Sequence, residues 1–178
     1  FLPEQKAALA AAGNYPFLGN PQAPIVIVEF GDFNCPYTKR SVAVLKALVN
    51  KYPNEIKIVW RNFAVIDPVT SPLAALAGAC AQEQGNLFFW SLHDRLFELE
   101  GNLTKDTITQ AAKTTGLDIN RFSTCLVAQR YASAVRDDIT TGIELGVQGT
   151  PTFYINGLQV NGHQELANWQ KAIASLRP

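Results

Sequence analysis

The chain has 178 residues, 47% of them hydrophobic and 17% charged, which suits one globular domain with a full apolar core and room for a sizeable insertion. Fifteen basic side chains balance fifteen acidic ones, so charge gives no reason to expect a nucleic acid or an anionic membrane as partner. The apolar runs are far shorter than the roughly 18 residues of a membrane-spanning helix, which excludes a membrane span in this chain.

Residues 1–13 predict a short helix that begins near Pro3 and ends at Gly13. They lack the basic start and the long apolar segment of an intact signal peptide. We therefore expect that, if the protein is exported, its leader has already been removed. Residues 14–24, rich in Pro, Gly and Asn, predict a surface connection.

A βαβ unit is predicted next. The apolar run 25–30 is typical of a buried strand, 36–51 has helical spacing of its apolar residues, and 55–63 alternates like a second strand. Short joints between a strand, a helix and a strand require a parallel strand pair with a right-handed crossover.

From Thr70 the apolar spacing becomes helical and no strand signal appears for roughly 75 residues. The first helix is predicted from Ser71 to Gly85, with Ser71 as its N-cap and Pro72 at its first position. Four more are predicted at 87–99, 104–116, from Asp118, and 128–145. These residues predict an all-helical insertion.

Strands return after this insertion. Residues 152–155 and 158–160 predict a hairpin, because Asn156-Gly157 between them suits a two-residue type I′ turn. A last helix is predicted from about His163 to Leu176.

Cys35 lies at the turn from the first strand into the first helix, and Pro36 stands where proline is favoured as first helical residue. Free N–H groups and the positive end of the helix dipole favour the thiolate form of a cysteine at this position. The sequence therefore predicts that Cys35 is a nucleophile.

The other cysteines, Cys80 and Cys125, lie in stretches of helical pattern far from position 35. In an oxidising compartment an odd count indicates one disulfide and one remaining thiol. We pair Cys80 with Cys125, although spacing alone leaves all three pairings open. A zinc site built from these two and His93 lacks the usual Cys-x-x-Cys spacing, and no metal is expected.

Two motifs, VEFGDFNCPYT around Cys35 and VQGTPTFYING before the hairpin, occur with the helix pair ACAQEQGNLFFWSLHDRLFE. Together they resemble the DsbA-like family of thiol-disulfide oxidoreductases. The resemblance implies an α/β thioredoxin fold (βαβ plus ββα), formed by residues 1–68 and 140–178, with a helical insertion at 69–139. It also implies a periplasmic or otherwise extracytoplasmic protein.

The chain departs from the family at its active site, which is Cys35-Pro36-Tyr37-Thr38 instead of Cys-x-x-Cys. The second cysteine normally resolves the mixed disulfide formed by the first. Thr38 is either natural, in a monothiol enzyme that needs an outside thiol such as glutathione, or engineered to trap mixed disulfides. We also expect its hydroxyl group to donate a hydrogen bond to the Cys35 thiolate.

The resemblance assigns roles to further residues. Glu29 matches a buried acid that assists proton transfer to or from the thiol. Thr150 and Pro151 match a cis-proline element that holds an extended substrate chain, and Pro36 and Tyr37 also contact the substrate.

The expected function is thiol-disulfide exchange with extended, cysteine-containing polypeptides, aided by a redox partner protein or a small thiol and without a bound cofactor. Two alternatives remain: a glutathione-dependent transferase or isomerase on the same fold, and a peptide-binding module without redox activity.

Overall fold

A computed structural model describes residue 2, residues 5–6 and residues 13–176. Most of the short helix predicted from Pro3 lies outside the described residues, and residues 5–6 of it are helical. Within them the elements follow in the order β1 (Phe17–Gly19), β2 (Ile25–Gly31), α1 (Pro36–Lys51), β3 (Ile56–Asn62), α2 (Thr70–Gln82), α3 (Asn86–Glu98), α4 (Lys105–Lys113), α5 (Ile119–Val127), α6 (Ala132–Leu145), β4 (Thr152–Ile155), β5 (Leu158–Asn161) and α7 (Leu166–Leu176). The predicted α/β class is confirmed.

The strands form one sheet in the order β1-β3-β2-β4-β5. Strand β4 pairs antiparallel with β2 on one side and with β5 on the other, and Ile155 faces Leu158 at the end of the hairpin. Asn156 and Gly157 have φ of 44° and 87°, as a type I′ turn requires. The predicted hairpin is therefore present.

The prediction for residues 14–24 as a surface connection is wrong in one part. Phe17–Gly19 form β1, which pairs antiparallel with β3, so that Leu18 faces Ile58. A strand of three half-buried residues has neither the length nor the alternation by which strands are recognised in a sequence.

The chain divides into two compact units. The first contains residues 1–31, 36–61 and 141–178. Its core is an apolar cluster contributed by the sheet, α1 and α7: Ile25, Ile27, Leu45, Leu48, Ile56, Ile58, Phe153, Ile155, Trp169 and Ile173. In this cluster the ring of Trp169 packs edge-on against Phe153, with 5.0 Å between the ring centroids.

The second unit contains residues 32–35 and 62–140. A disulfide between Cys80 of α2 and Cys125 of α5 ties two of its helices together, with 5.8 Å between the Cα atoms. Of the three cysteines of the chain, Cys35 alone is left as a thiol.

The start of α2 differs from the prediction. The helix begins at Thr70, and Ser71 lies inside it, fully buried, instead of capping it. The carboxylate of Asp67 accepts hydrogen bonds from the backbone N–H groups of Val69 and Thr70. The N-cap position is occupied by Val69, which makes no side-chain capping hydrogen bond, and Asp67 instead supplies an acceptor to the first N–H groups from just before the helix.

Helix α6 begins at Ala132, later than predicted, and Ile143 is 64% exposed although Val135 is buried. Steps of four residues advance the helix by about 40° more than a full turn, so an apolar row spaced in this way leaves the buried face. None of the helices in the described part of the chain has the length and apolarity that crossing a membrane would require.

Candidate active site

Cys35 occupies the turn between β2 and α1. The turn is closed by a hydrogen bond of 2.9 Å from the Cys35 N–H to the carbonyl oxygen of Asp32. Helix α1 begins at the next residue, Pro36, so Cys35 stands at a helix N-terminus. The residue is 3% exposed.

Two polar side chains hold this turn in place. The buried carboxylate of Asp32 accepts hydrogen bonds from the backbone N–H groups of Asn34, Val65 and Ile66 at 2.8–2.9 Å. The side chain of Asn34 donates to the hydroxyl groups of Thr70 and Ser71, both at 2.9 Å. Neither residue was predicted from the sequence, although Asp and Asn in such a turn commonly bond to the backbone.

Two substrate-contact candidates, Pro36 and Tyr37, are exposed at the start of α1. Tyr37 is 55% exposed, and the guanidinium group of Arg40 lies 6.0 Å from the centroid of its ring. These positions leave both side chains accessible to a chain bound near Cys35.

Thr38 faces the opposite way and is completely buried. Its methyl group lies against Gly31, where a Cβ atom would approach it to 3.0 Å. Its hydroxyl oxygen has no hydrogen-bond partner among the described residues, so the predicted hydrogen bond to the Cys35 sulfur is absent. That prediction was wrong because the buried threonine fills space next to β2 with its methyl group.

Glu29 lies in β2 and is 2% exposed. Burial raises the pKa of its carboxyl group from 4.5 to about 8, because the charged form loses its hydration. One of its oxygens has no hydrogen-bond partner in the described part of the protein. At neutral pH this group is mostly an uncharged acid that can give up or take back a proton.

The pairing of β2 with β4 sets Glu29 opposite Phe153, two residues after Pro151. The Thr150–Pro151 peptide bond is cis, and the Pro151 carbonyl oxygen accepts a hydrogen bond of 2.8 Å from Gly162 N–H. The strand that carries Glu29, the candidate proton-transfer group, thus pairs with the strand that follows the candidate substrate-binding residues Thr150 and Pro151.

The three residues considered as zinc ligands have other structural roles. Cys80 and Cys125 are joined in the disulfide, and His93 is buried in α3. The imidazole ring of His93 is surrounded by aromatic rings, with centroids at 4.7 Å for Trp90, 4.9 Å for Phe97 and 5.6 Å for Phe33. This cluster fills the core of the second unit.

The sequence model of the family described as Thioredoxin matches residues 11–175. A probable disulfide bond formation protein D of Bacillus anthracis is 31% identical over 154 residues, which cover 81% of this chain and 70% of that protein. The Na(+)/H(+) antiporter NhaA 1 of Salinispora arenicola (strain CNS-205) is 32% identical over 158 residues, or 88% of this chain and 24% of the antiporter. The chain spans about a quarter of the length of such antiporter relatives.

Among solved structures, a thioredoxin-like oxidoreductase from Silicibacter pomeroyi DSS-3 is similar with a TM-score of 0.84 and 29% identity. The similarity covers 94% of this chain and 95% of that one. The resemblance inferred from the two motifs, and the fold that it implies, are confirmed. The chain belongs to the thioredoxin family and has the DsbA-like form of its fold.

Proposed function

We propose that this chain is a thiol-disulfide oxidoreductase that reacts through Cys35 alone. The observation that supports it most is that Cys35, at the N-terminus of α1, is the one cysteine outside the disulfide. The residue one helical turn further on, where the family has its second cysteine, is Thr38.

The first step is attack of the Cys35 thiolate on a disulfide of the substrate. A bond forms between Cys35 Sγ and one substrate sulfur, the substrate disulfide breaks, and the other sulfur leaves as a thiolate that takes up a proton. Glu29 supplies this proton directly or through water, because its raised pKa keeps it protonated near neutral pH.

The second step needs a thiol from outside the chain. An external thiolate attacks the substrate sulfur of the mixed disulfide, forms a new disulfide with it and returns Cys35 as a thiolate. Glutathione or a thiol of a partner protein serves as this reactant, and no bound cofactor takes part. In a dithiol enzyme a neighbouring cysteine does this faster, because tethering raises its effective concentration.

The substrates are extended polypeptides that contain cysteine. The backbone of Thr150 and Pro151 holds the substrate chain, and Pro36 and Tyr37 contact its side chains. We expect the chain to react in this way through Cys35 whether Thr38 is its natural residue or was introduced as a trap.

The working compartment is extracytoplasmic. The Cys80–Cys125 disulfide supports this location, since such bonds persist in oxidising compartments and are reduced in most cytosols.

The decisive experiment compares the chain with its Thr38→Cys variant in oxidative refolding of a reduced protein. The chain itself should refold the protein poorly and give mixed disulfides that last until an external thiol is added. Thr38→Cys should form an internal disulfide with Cys35 and catalyse oxidation. Thr38→Ser is the matched control, because it changes the same buried side chain without adding a thiol.

If the chain already oxidises substrates as fast as Thr38→Cys, the missing second thiol does not limit its activity as an oxidant. If neither reacts with disulfides, Cys35 is not a redox nucleophile. The low exposure of Cys35, 3%, favours a second function in that case, a peptide-binding module. Peptide affinity that Cys35→Ala leaves unchanged would then support the module.

A further inference from the structure

Asp32 is a buried acidic residue that the proposed reaction does not use. It is 1% exposed, and its carboxylate accepts three backbone hydrogen bonds. One oxygen accepts from Asn34 N–H at 2.9 Å, and the other accepts from Val65 and Ile66 N–H at 2.8 and 2.9 Å. Such hydrogen bonds to an ionised carboxylate are stronger than those between neutral groups.

These hydrogen bonds fix the turn that contains Cys35. The Asp32 carbonyl oxygen accepts from Cys35 N–H, and its side chain accepts from Asn34 N–H within the same turn. Both the main chain and the side chain of Asp32 therefore determine where Cys35 stands.

The hydrogen bonds of the Asp32 carboxylate also fix the segment that follows β3. Because the N–H groups of Val65 and Ile66 point to the carboxylate, their side chains turn outward and are 48% and 50% exposed. Two large apolar side chains are thus held on the surface of the second unit, in a segment that the Asp32 carboxylate joins to the Cys35 turn.

We propose that Asp32 is a positioning residue for Cys35. Its carboxylate joins the Cys35 turn to residues 65–66, so that the thiol keeps its shielded place and its direction of attack. Without the carboxylate the three N–H groups lose this shared acceptor, although Val65 N–H keeps a bond to the Phe63 carbonyl oxygen, and the turn can separate from the segment. A small reagent then reaches the sulfur more easily, whereas a docked disulfide meets it in the wrong geometry.

The experiment measures two rates for Asp32→Ala. Alkylation of Cys35 by iodoacetamide should become about fivefold faster, because the turn opens locally. Exchange of Cys35 with a peptide disulfide that has apolar neighbours should become about tenfold slower, because attack depends on alignment. Asp32→Asn, which keeps one acceptor oxygen, should fall between the parent and the alanine variant, and it remains informative if Asp32→Ala does not fold.

The matched control is Asp118→Ala. Asp118 also accepts hydrogen bonds from backbone N–H groups, those of Asn120 and Arg121 at the start of α5, and none from the Cys35 turn. Its loss should lower the melting temperature, as the loss of Asp32 does, and leave both rates within about twofold of the parent, since its partners are local to one helix end.

Alkylation rates of Asp32→Ala and Asp32→Asn that equal that of Asp118→Ala would overturn the proposal. Only the exchange measurement rests on the proposed function. A parent chain that reacts with no disulfide would refute that function, and the alkylation rates would still decide the role of Asp32.

Discussion

Burial of Glu29 links the stability of the protein to pH. The pKa of its carboxyl group is raised to about 8 in the folded protein by desolvation, from 4.5 in water. Between these two values the folded state keeps a proton that the unfolded state has lost. Stability therefore falls as the pH rises through this window, by an amount on the order of a few kcal/mol.

Glu29→Gln should abolish this dependence, because glutamine is uncharged at every pH and has nearly the same shape. The variant and the parent should be about equally stable near pH 4.5. The free energy of unfolding of the variant should exceed that of the parent by on the order of 3 kcal/mol at pH 8. Urea denaturation of both proteins at several pH values measures this difference, which isolates Glu29 from every other titrating group.

The same variant tests proton transfer. If Glu29 supplies the proton to the leaving sulfur, Glu29→Gln should slow disulfide exchange below pH 8 in spite of its greater stability. Parallel stability curves for the two proteins would contradict the pKa argument, and unchanged exchange would contradict the catalytic one.

Two residues of the candidate site could be predicted from the sequence. Glu29 was found because it matches the buried acid of the DsbA-like family, and Cys35 because it stands at a strand-to-helix turn. Asp32 was missed because its partners Val65 and Ile66 lie more than thirty residues away. No local pattern reports a contact between distant segments.

Helix ends show what a sequence predicts about elements and where it fails. Helix α4 begins with a capping box formed by Thr104 and Thr107, where its start was predicted. The start of α2 was misassigned because Ser71, a good N-cap residue, is used inside the fold to accept a hydrogen bond from Asn34. Residue propensity indicates which side chains are suited to cap a helix, and tertiary contacts determine which of them does so.

Asp118 caps α5, the helix that carries Cys125. Its carboxylate accepts hydrogen bonds of 3.0 Å from the backbone N–H groups of Asn120 and Arg121. Asp118→Ala should lower the free energy of unfolding by about 1 kcal/mol, because it leaves these N–H groups without the capping acceptor. Asp118→Asn should cost much less, since asparagine caps equally well.

Urea denaturation of the two variants at pH 7 measures the effect. Equal losses for alanine and asparagine would show that the charge of Asp118 matters, through the helix dipole, and not its hydrogen bonds.

For the whole molecule, the architecture could be predicted from the sequence. The motifs around Cys35 and Pro151, together with the predicted order of strands and helices, resembled the DsbA-like family, and this resemblance implied the thioredoxin fold. We infer that residues 69–139 are a helical insertion into a domain formed by 1–68 and 140–178. The placement of residues 32–35 with the second unit has no signal in the sequence, because it depends on contacts of the folded chain.

Both ends of the Cys80–Cys125 bridge lie in the second unit, 45 residues apart in the chain. In the chain-entropy model a loop of this length contributes about 4 kcal/mol to stability by restricting the unfolded state. That restriction acts only on segments that unfold between the two cysteines. The first unit has its own apolar core around Trp169 and Ile173.

Replacing both bridging cysteines with alanine should therefore affect the two units unequally. Amide hydrogen exchange should accelerate strongly in α2 and α5 and stay near the parent rates in β2, β4 and α7, because local opening follows the stability of each cooperative unit. Hydrogen exchange of the parent and the variant under native conditions, followed residue by residue, measures this difference. Cys35→Ala is the control, because it removes a cysteine and leaves the bridge intact. If protection falls by the same factor in both units, the molecule unfolds as one cooperative body and the division into units has no thermodynamic counterpart.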